Sequence, residues 1–155
     1  MPSARIPIHR RVIDPDPAGP IRTQLQARLT LDALASNGAW IWVPVCLIDT
    51  AANYTTFSAT WARLYGIPVP DTTSRLPVRT AAGERVVTVR DGQLRVRFPQ
   101  FPGRVFTLYC VFSEDYGPAA PPLLGLNNFI DVFRVALDGR YSRDAPAGHV
   151  ALEVD

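Results

Sequence analysis

The run Val43-Pro44-Val45-Cys46-Leu47-Ile48, followed at once by Asp49-Thr50-Ala51-Ala52, constrains this chain more than any other segment. An apolar stretch of strand character stops abruptly at a carboxylate, a hydroxyl and two small residues. A carboxylate so placed leaves a packed strand and enters a tight turn at the edge of a hydrophobic interior. No second copy of the pattern occurs in the sequence. The single copy matters as much as the motif, because acid–base chemistry by carboxylates usually draws on two of them.

The rest of the chain fits one domain. It has 155 residues, 47% of them hydrophobic and 19% charged, enough for a real core. The net charge is +2 and every basic side chain is Arg, spread along the chain apart from Arg10-Arg11. That distribution argues against a phosphate-tracking stripe and hence against nucleic acid as a partner. Cys46 and Cys110 both lie in apolar, strand-like runs and read as buried thiols. With His9 and His149 remote from them, no metal-ligand spacing appears, and no metal or cofactor is expected. No N-terminal stretch resembles a signal peptide and no apolar run is long enough to span a bilayer, so a soluble cytoplasmic protein is expected, with no membrane partner.

Proline punctuates the first twenty residues, at 2, 7, 15, 17 and 20, which predicts an irregular arm over residues 1–20 ahead of a domain over 21–155. Ile21 to Leu31 alternates with a period near two and reads as a half-buried strand. A turn at Ser36-Asn37-Gly38 leads to a strand from Ala39 to Ile48, where Pro44 requires an edge or a bulge. Thr55-Thr56-Phe57 suggests a short strand, and Ser58 a cap for a helix from Ala59 to Tyr65 that Gly66 ends. From Leu76 onward the chain reads as hairpins, with turns at Ala81-Ala82-Gly83 and at Asp91-Gly92. Val105 to Phe112 is the best candidate for a fully buried strand. A proline- and glycine-rich loop, Ser113 to Pro122, precedes Leu123-Leu124-Gly125 and a short helix starting near Asn127 or Asn128. Strands at Arg134 to Leu137 and His149 to Val154 complete an all-β chain, and the spacing of strands and turns suggests a closed or folded-over sheet.

Three segments in this order resemble the retropepsin-like aspartic proteases, the homodimeric relatives of pepsin: Leu47-Ile48-Asp49-Thr50-Ala51-Ala52, the small-residue hairpin tip Thr80-Ala81-Ala82-Gly83, and Leu123-Leu124-Gly125-Leu126-Asn127-Asn128-Phe129. Phe133 to Gly139 also looks like bacterial and retroelement members. The ordering covers roughly residues 21 to 139. The resemblance implies a closed acid-protease barrel with one or two short helices, acting as a homodimer on a peptide or protein substrate. Asp49 would be the catalytic aspartate, one from each subunit. Thr50 would bond across to the partner's turn, with Ala51 and Ala52 completing the active-site turn. Ala81, Ala82 and Gly83 would lie at or near a flap tip closing over substrate, and Leu124-Gly125 would pack beneath the active-site loop.

The chain also departs from the family's pattern. Most members carry Gly where Ala51 stands; alanine there requires a negative φ and room for a methyl group. Leu126 stands where many viral members have Arg, and Asn53 where they have an acid, so the viral intersubunit charge network is not reproduced. Two further readings therefore stand beside the endopeptidase: an inactive peptide-binding or dimerisation module on the same scaffold, for which Ala51 speaks, and an unrelated β-domain in which Asp49 only caps a turn. Ser58 and His149 with an acid could be written as a triad, but no nucleophile elbow supports it, and no phosphate loop or dinucleotide fingerprint appears. Trp40, Trp42 and Trp61 read as core or interface aromatics, and Asp131 and Asp138 as solvated acids near element ends.

Overall fold

The computed structural model describes residues 1–14, 22–49, 52–80, 83–125, 129 and 132–155. Its elements in chain order are β1 (Ser3–Asp14), β2 (Arg22–Leu34), β3 (Trp40–Ile48), β4 (Thr56–Ser58), α1 (Ala59–Leu64), β5 (Thr73–Thr80), β6 (Gly83–Arg97), β7 (Phe106–Ser113), β8 (Leu123–Leu124), β9 (Arg134–Asp138) and β10 (His149–Glu153). The chain is mostly β. The strands lie in the order β5-β6-β7-β4-β8-β3-β2-β1-β10-β9, and a further pairing of β6 with β2 closes the middle six into a ring.

Alternation fills the ring. Leu29, Leu31 and Ala33 of β2, Val43 and Cys46 of β3, Leu94 and Val96 of β6, and Leu108, Cys110 and Phe112 of β7 are all buried in one core. Phe98, Phe101, Phe106, Phe129 and Phe133 form an aromatic cluster, with Phe133 5.2 Å from Phe106 and 4.9 Å from Phe129 between ring centroids. That cluster ties the C-terminal segment to the body. Val87 and Val89 of the β5–β6 hairpin form a separate small cluster with Val111 of β7, flanked by Leu76 and Val78.

Several local expectations hold. Pro44 sits where the β2–β3 register shifts between Leu29 and Leu31, so the strand absorbs it in a bulge. Ser58 accepts a hydrogen bond from the Trp61 amide at 3.2 Å and caps α1. The face that α1 turns inward is Ala59 and Ala62, while Leu64 is exposed.

Two expectations are corrected. The first residues are no irregular arm, because β1 runs from Ser3 to Asp14. It pairs with β10 from Ser3 to Pro7 and with β2 from Ile8 onward. Pro7 falls where one ladder ends and the next begins, a place that tolerates a missing donor. Asp91-Gly92 is no turn either: β6 runs straight through it, with Asp91 opposite Val111 and Gly92 opposite Cys110. Glycine is needed there for space, since a Cβ would lie 2.7 Å from the Phe112 ring and 3.2 Å from Pro70. The expected helix near Asn127 and Asn128 falls largely on residues outside the described ones; next to it, the Val132 amide donates to the Phe129 carbonyl at 3.1 Å.

Candidate active site

The position of Asp49 follows from how β3 ends. β8 runs parallel to β3, with Leu47 opposite Leu123 and Ile48 opposite Leu124, and antiparallel to β4 at Thr56. The strands on either side of the Asp49 turn are thus held apart, and a later piece of chain threads between them. The Asp49 amide donates to the Leu124 carbonyl at 3.0 Å, and the Ala52 amide donates back to the Asp49 carbonyl at 3.2 Å. The second bond is that of a β-turn, the tight turn expected after Ile48. Thr50 and Ala51 lie outside the described residues.

Gly125 underpins this turn. Its amide donates to the buried Thr55 Oγ1 at 3.2 Å. A Cβ on residue 125 would lie 2.5 Å from the Tyr54 carbonyl and 2.8 Å from the Ala52 oxygen. Only a residue without a side chain lets the two backbones approach so closely. Leu124-Gly125 therefore packs against the Asp49 turn.

Asp49 lines a cavity of about 520 Å³. Ala52, Asn53, Tyr54 and Thr56 form the side nearest the turn, and the β5–β6 hairpin closes the other with Leu76, Pro77, Val78, Arg85, Val87 and Val89. Ser113, Asp115, Tyr116 and Leu123 complete the wall. Thr80 and Gly83 form the last pair of the hairpin ladder. Ala81 and Ala82, between them, lie outside the described residues. Ala52 thus lines the cavity directly. Gly83 opens the strand that lines it but is not itself among the described lining residues.

Arg85, Asp115 and Tyr116 did not stand out in the sequence. The one available signal was position: Asp115 and Tyr116 follow β7 directly, in the loop that returns the chain to β8 beside the Asp49 turn. The Tyr116 hydroxyl donates to the Pro121 carbonyl at 2.6 Å. Burial first, then the negative charge of Asp49, then Cys46 raise the Tyr116 phenol above its ordinary range, so it stays neutral near pH 7. Next to the cavity, Glu114 binds Arg63 through both oxygens and also Arg90, and these guanidiniums pull its carboxyl down to about 2.

The cavity is mostly apolar on the hairpin side, where Arg85 is the exception, and its described lining carries two carboxylates, one guanidinium and two phenols. Cys46 and Cys110 take no part in it: both are buried, and burial raises both thiols, Cys110 to about 12. Among the described residues, no group of three or more His, Cys, Asp and Glu is placed to hold a metal ion, and no helix is long and apolar enough to cross a membrane. Comparisons with protein-family models, with curated proteins and with solved structures found no match to this chain.

Proposed function

We propose that this chain is a retropepsin-like aspartic endopeptidase, working as a homodimer in the cytoplasm. Asp49 of each subunit would supply half of one dyad. The observation that carries the reading is the Asp49 turn. It is pinned from below by a strand threaded between β3 and β4, and it faces a β-hairpin across a cavity. The order turn, hairpin, Leu124-Gly125 is the order the sequence resemblance requires. The closed acid-protease barrel belongs to the same proposal and draws support from the ring of six strands.

The chemistry follows from two carboxylates brought to about 3 Å across a two-fold axis, where the pair shares one proton. The charged member takes a proton from water as that water attacks the scissile carbonyl, while the protonated member donates to the carbonyl oxygen. No covalent intermediate is required. Thr50 would hold the two turns together, with Ala51 and Ala52 completing each. The substrate would lie extended under the hairpin tip, Ala81 to Gly83, held partly by main-chain hydrogen bonds. Leu76, Val78, Val87 and Val89 in the cavity wall favour apolar side chains beside the scissile bond. A second reading, a peptide-binding or dimerisation module without activity, is favoured by Ala51, whose methyl group occupies a position where most such turns have none.

Purified full-length chain, weighed by sedimentation and incubated with an unbiased peptide library from acidic to neutral pH, separates the readings. The proposal expects a dimer that cleaves, and an Asp49→Asn dimer that does not. Cleavage that survives Asp49→Asn, or a monomer without activity, overturns it. Intact peptide binding by an inactive dimer establishes the module instead.

A further inference from the structure

A second cavity, of about 390 Å³, lies on the other side of the loop that follows β7. It shares no lining residue with the Asp49 cavity. One wall comes from β2 and β3, Gln26, Arg28, Val45 and Leu47 among them; Ser58, Trp61 of α1 and the strap 118–122 complete the lining. Three prolines in that strap fix its backbone. The Pro122 carbonyl accepts from the Leu47 amide at 2.8 Å, and the Pro121 carbonyl accepts from Tyr116. The hollow is therefore preformed, which lowers the ordering cost of any ligand.

Its charge is one-sided. Arg28 is the sole ionisable side chain among the described residues that line it, and no carboxylate does so. Arg28 donates to the Gln26 Oε1 at 3.2 Å. Gln26 is 5% exposed and anchors the guanidinium against the cavity wall. The remaining guanidinium donors have no acid partner among the described residues. A planar cation of this kind, fixed on one side and open on the other, matches a carboxylate. The adjoining surfaces, Trp61 and the prolines, match an aromatic or branched apolar group. A volume near the lower end of the usual ligand range, roughly 300–1,000 Å³, suits one such group rather than a long acyl chain.

We propose that this cavity is a binding site for a monocarboxylate carrying a single apolar group, with Arg28 as the carboxylate anchor and Trp61 as the apolar wall. The site is independent of the peptidase reading. The same chemistry is offered by a small free acid and by the C-terminal residue of a polypeptide, and the two sources are separable.

Calorimetric titration of the full-length chain uses three probes: 4-phenylbutyrate, acetyl-Gly-Gly-Gly-Phe as the free acid, and the same peptide as its C-terminal amide. At least one acid should bind, and where the peptide acid binds, its amide should bind about tenfold or more weakly, the usual worth of a charge-assisted hydrogen bond. Binding by phenylbutyrate alone assigns the site to free acids; binding by the peptide acid assigns it to chain termini. Arg28→Gln should weaken the acid by a similar factor and leave the amide unmoved. Ala120→Phe, which fills the hollow from the strap, should abolish binding with an unchanged circular dichroism spectrum. The proposal is overturned if acid and amide bind alike, if neither acid binds at about 10 mM, if Arg28→Gln leaves acid affinity unchanged, or if a folded Ala120→Phe still binds.

Discussion

The packing of Gly125 under the Asp49 turn sets a sharp test in the substitution Gly125→Ala. The added methyl would sit 2.5 Å from both the carbon and the oxygen of the Tyr54 carbonyl and 2.8 Å from the Ala52 oxygen. All three are backbone atoms, so no side chain can swing away; either β8 or the turn must move. Overpacking of this kind costs about 1–3 kcal/mol. Movement also draws the Gly125 amide from the buried Thr55 hydroxyl, and a stranded donor costs about 1–3 kcal/mol. A total of roughly 3 kcal/mol lowers Tm by about 6–12 °C for a chain of this size. Thermal unfolding followed by circular dichroism measures it. Gly139→Ala is the control, because nothing lies within 4 Å of its Cβ position. If Gly125→Ala melts with Gly139→Ala, β8 does not thread beneath the turn and the account of how Asp49 is positioned fails.

Three further outcomes are expected. Arg63 and Arg90 depress Glu114 to about 2, so its stabilisation is full above the unfolded carboxyl value of about 4.3 and fades as pH falls toward 2. The pair is 40–48% exposed, so Glu114→Gln should cost only about 0.5–1 kcal/mol at pH 7, and that difference in urea midpoint should vanish near pH 2; a difference persisting there refutes the ion-pair account. Cys46 and Cys110, buried and free, should both resist a thiol reagent at pH 8 in the native chain and both react in denaturant; fast native labelling of either would contradict the core as described. Asp115 lines the Asp49 cavity on the wall away from Arg85, so Asp115→Asn should leave cleavage of a neutral peptide within a few-fold and lower kcat/KM for a peptide carrying a basic residue; loss of all cleavage would make Asp115 part of the reacting pair.

The elements legible in the sequence are those whose signal is local. Ser58 is a cap because its hydroxyl finds an amide three residues on; the apolar run of β7, read as fully buried, is covered on both faces only from Cys110 onward, and Tyr109 is exposed. The errors arise where tertiary contacts overrule a local signal. Pro7 looked like a breaker, yet the ladder changes partner there. Asp91-Gly92 looked like a hairpin, yet Gly92 is small because the Phe112 ring fills the space beside it. The Asp49 turn was readable because strand, acid and small residues are consecutive. The opposite wall of its cavity was not, because Arg85, Asp115 and Tyr116 come from two segments that meet only once β6 and β7 pair. Arg28 and Trp61, on β2 and α1, become neighbours in a cavity only after the proline strap has crossed β3.

The hairpin over Asp49 is held in a way that bears on access. β6 pairs with β5 over its first half, from Gly83 to Arg90, but with β7 only from Val89 onward. Between its tip and Val89 the hairpin is a two-stranded ribbon, an arrangement of marginal stability alone. Its root is clamped: Arg90 donates to the Pro70 and Asp71 carbonyls at 3.2 and 2.9 Å and pairs with Glu114, while Ser74 donates to Asp91. Toward the tip, Val87 is the buried residue that holds the ribbon down. Raising the hairpin re-exposes Val87 together with the partly buried Leu76 and Val78, at a cost of roughly 3–6 kcal/mol. A raised hairpin is then a minor state, populated at roughly 0.01–1%. That is enough for an extended chain to enter without unfolding the ring, and it keeps the cavity covered most of the time. A rigid root with a weakly held outer ribbon suits a cavity that must admit a polymer laterally, whereas a small ligand would need no such device. The asymmetry therefore favours a polypeptide as the occupant of the Asp49 cavity, on grounds separate from the order of motifs in the sequence.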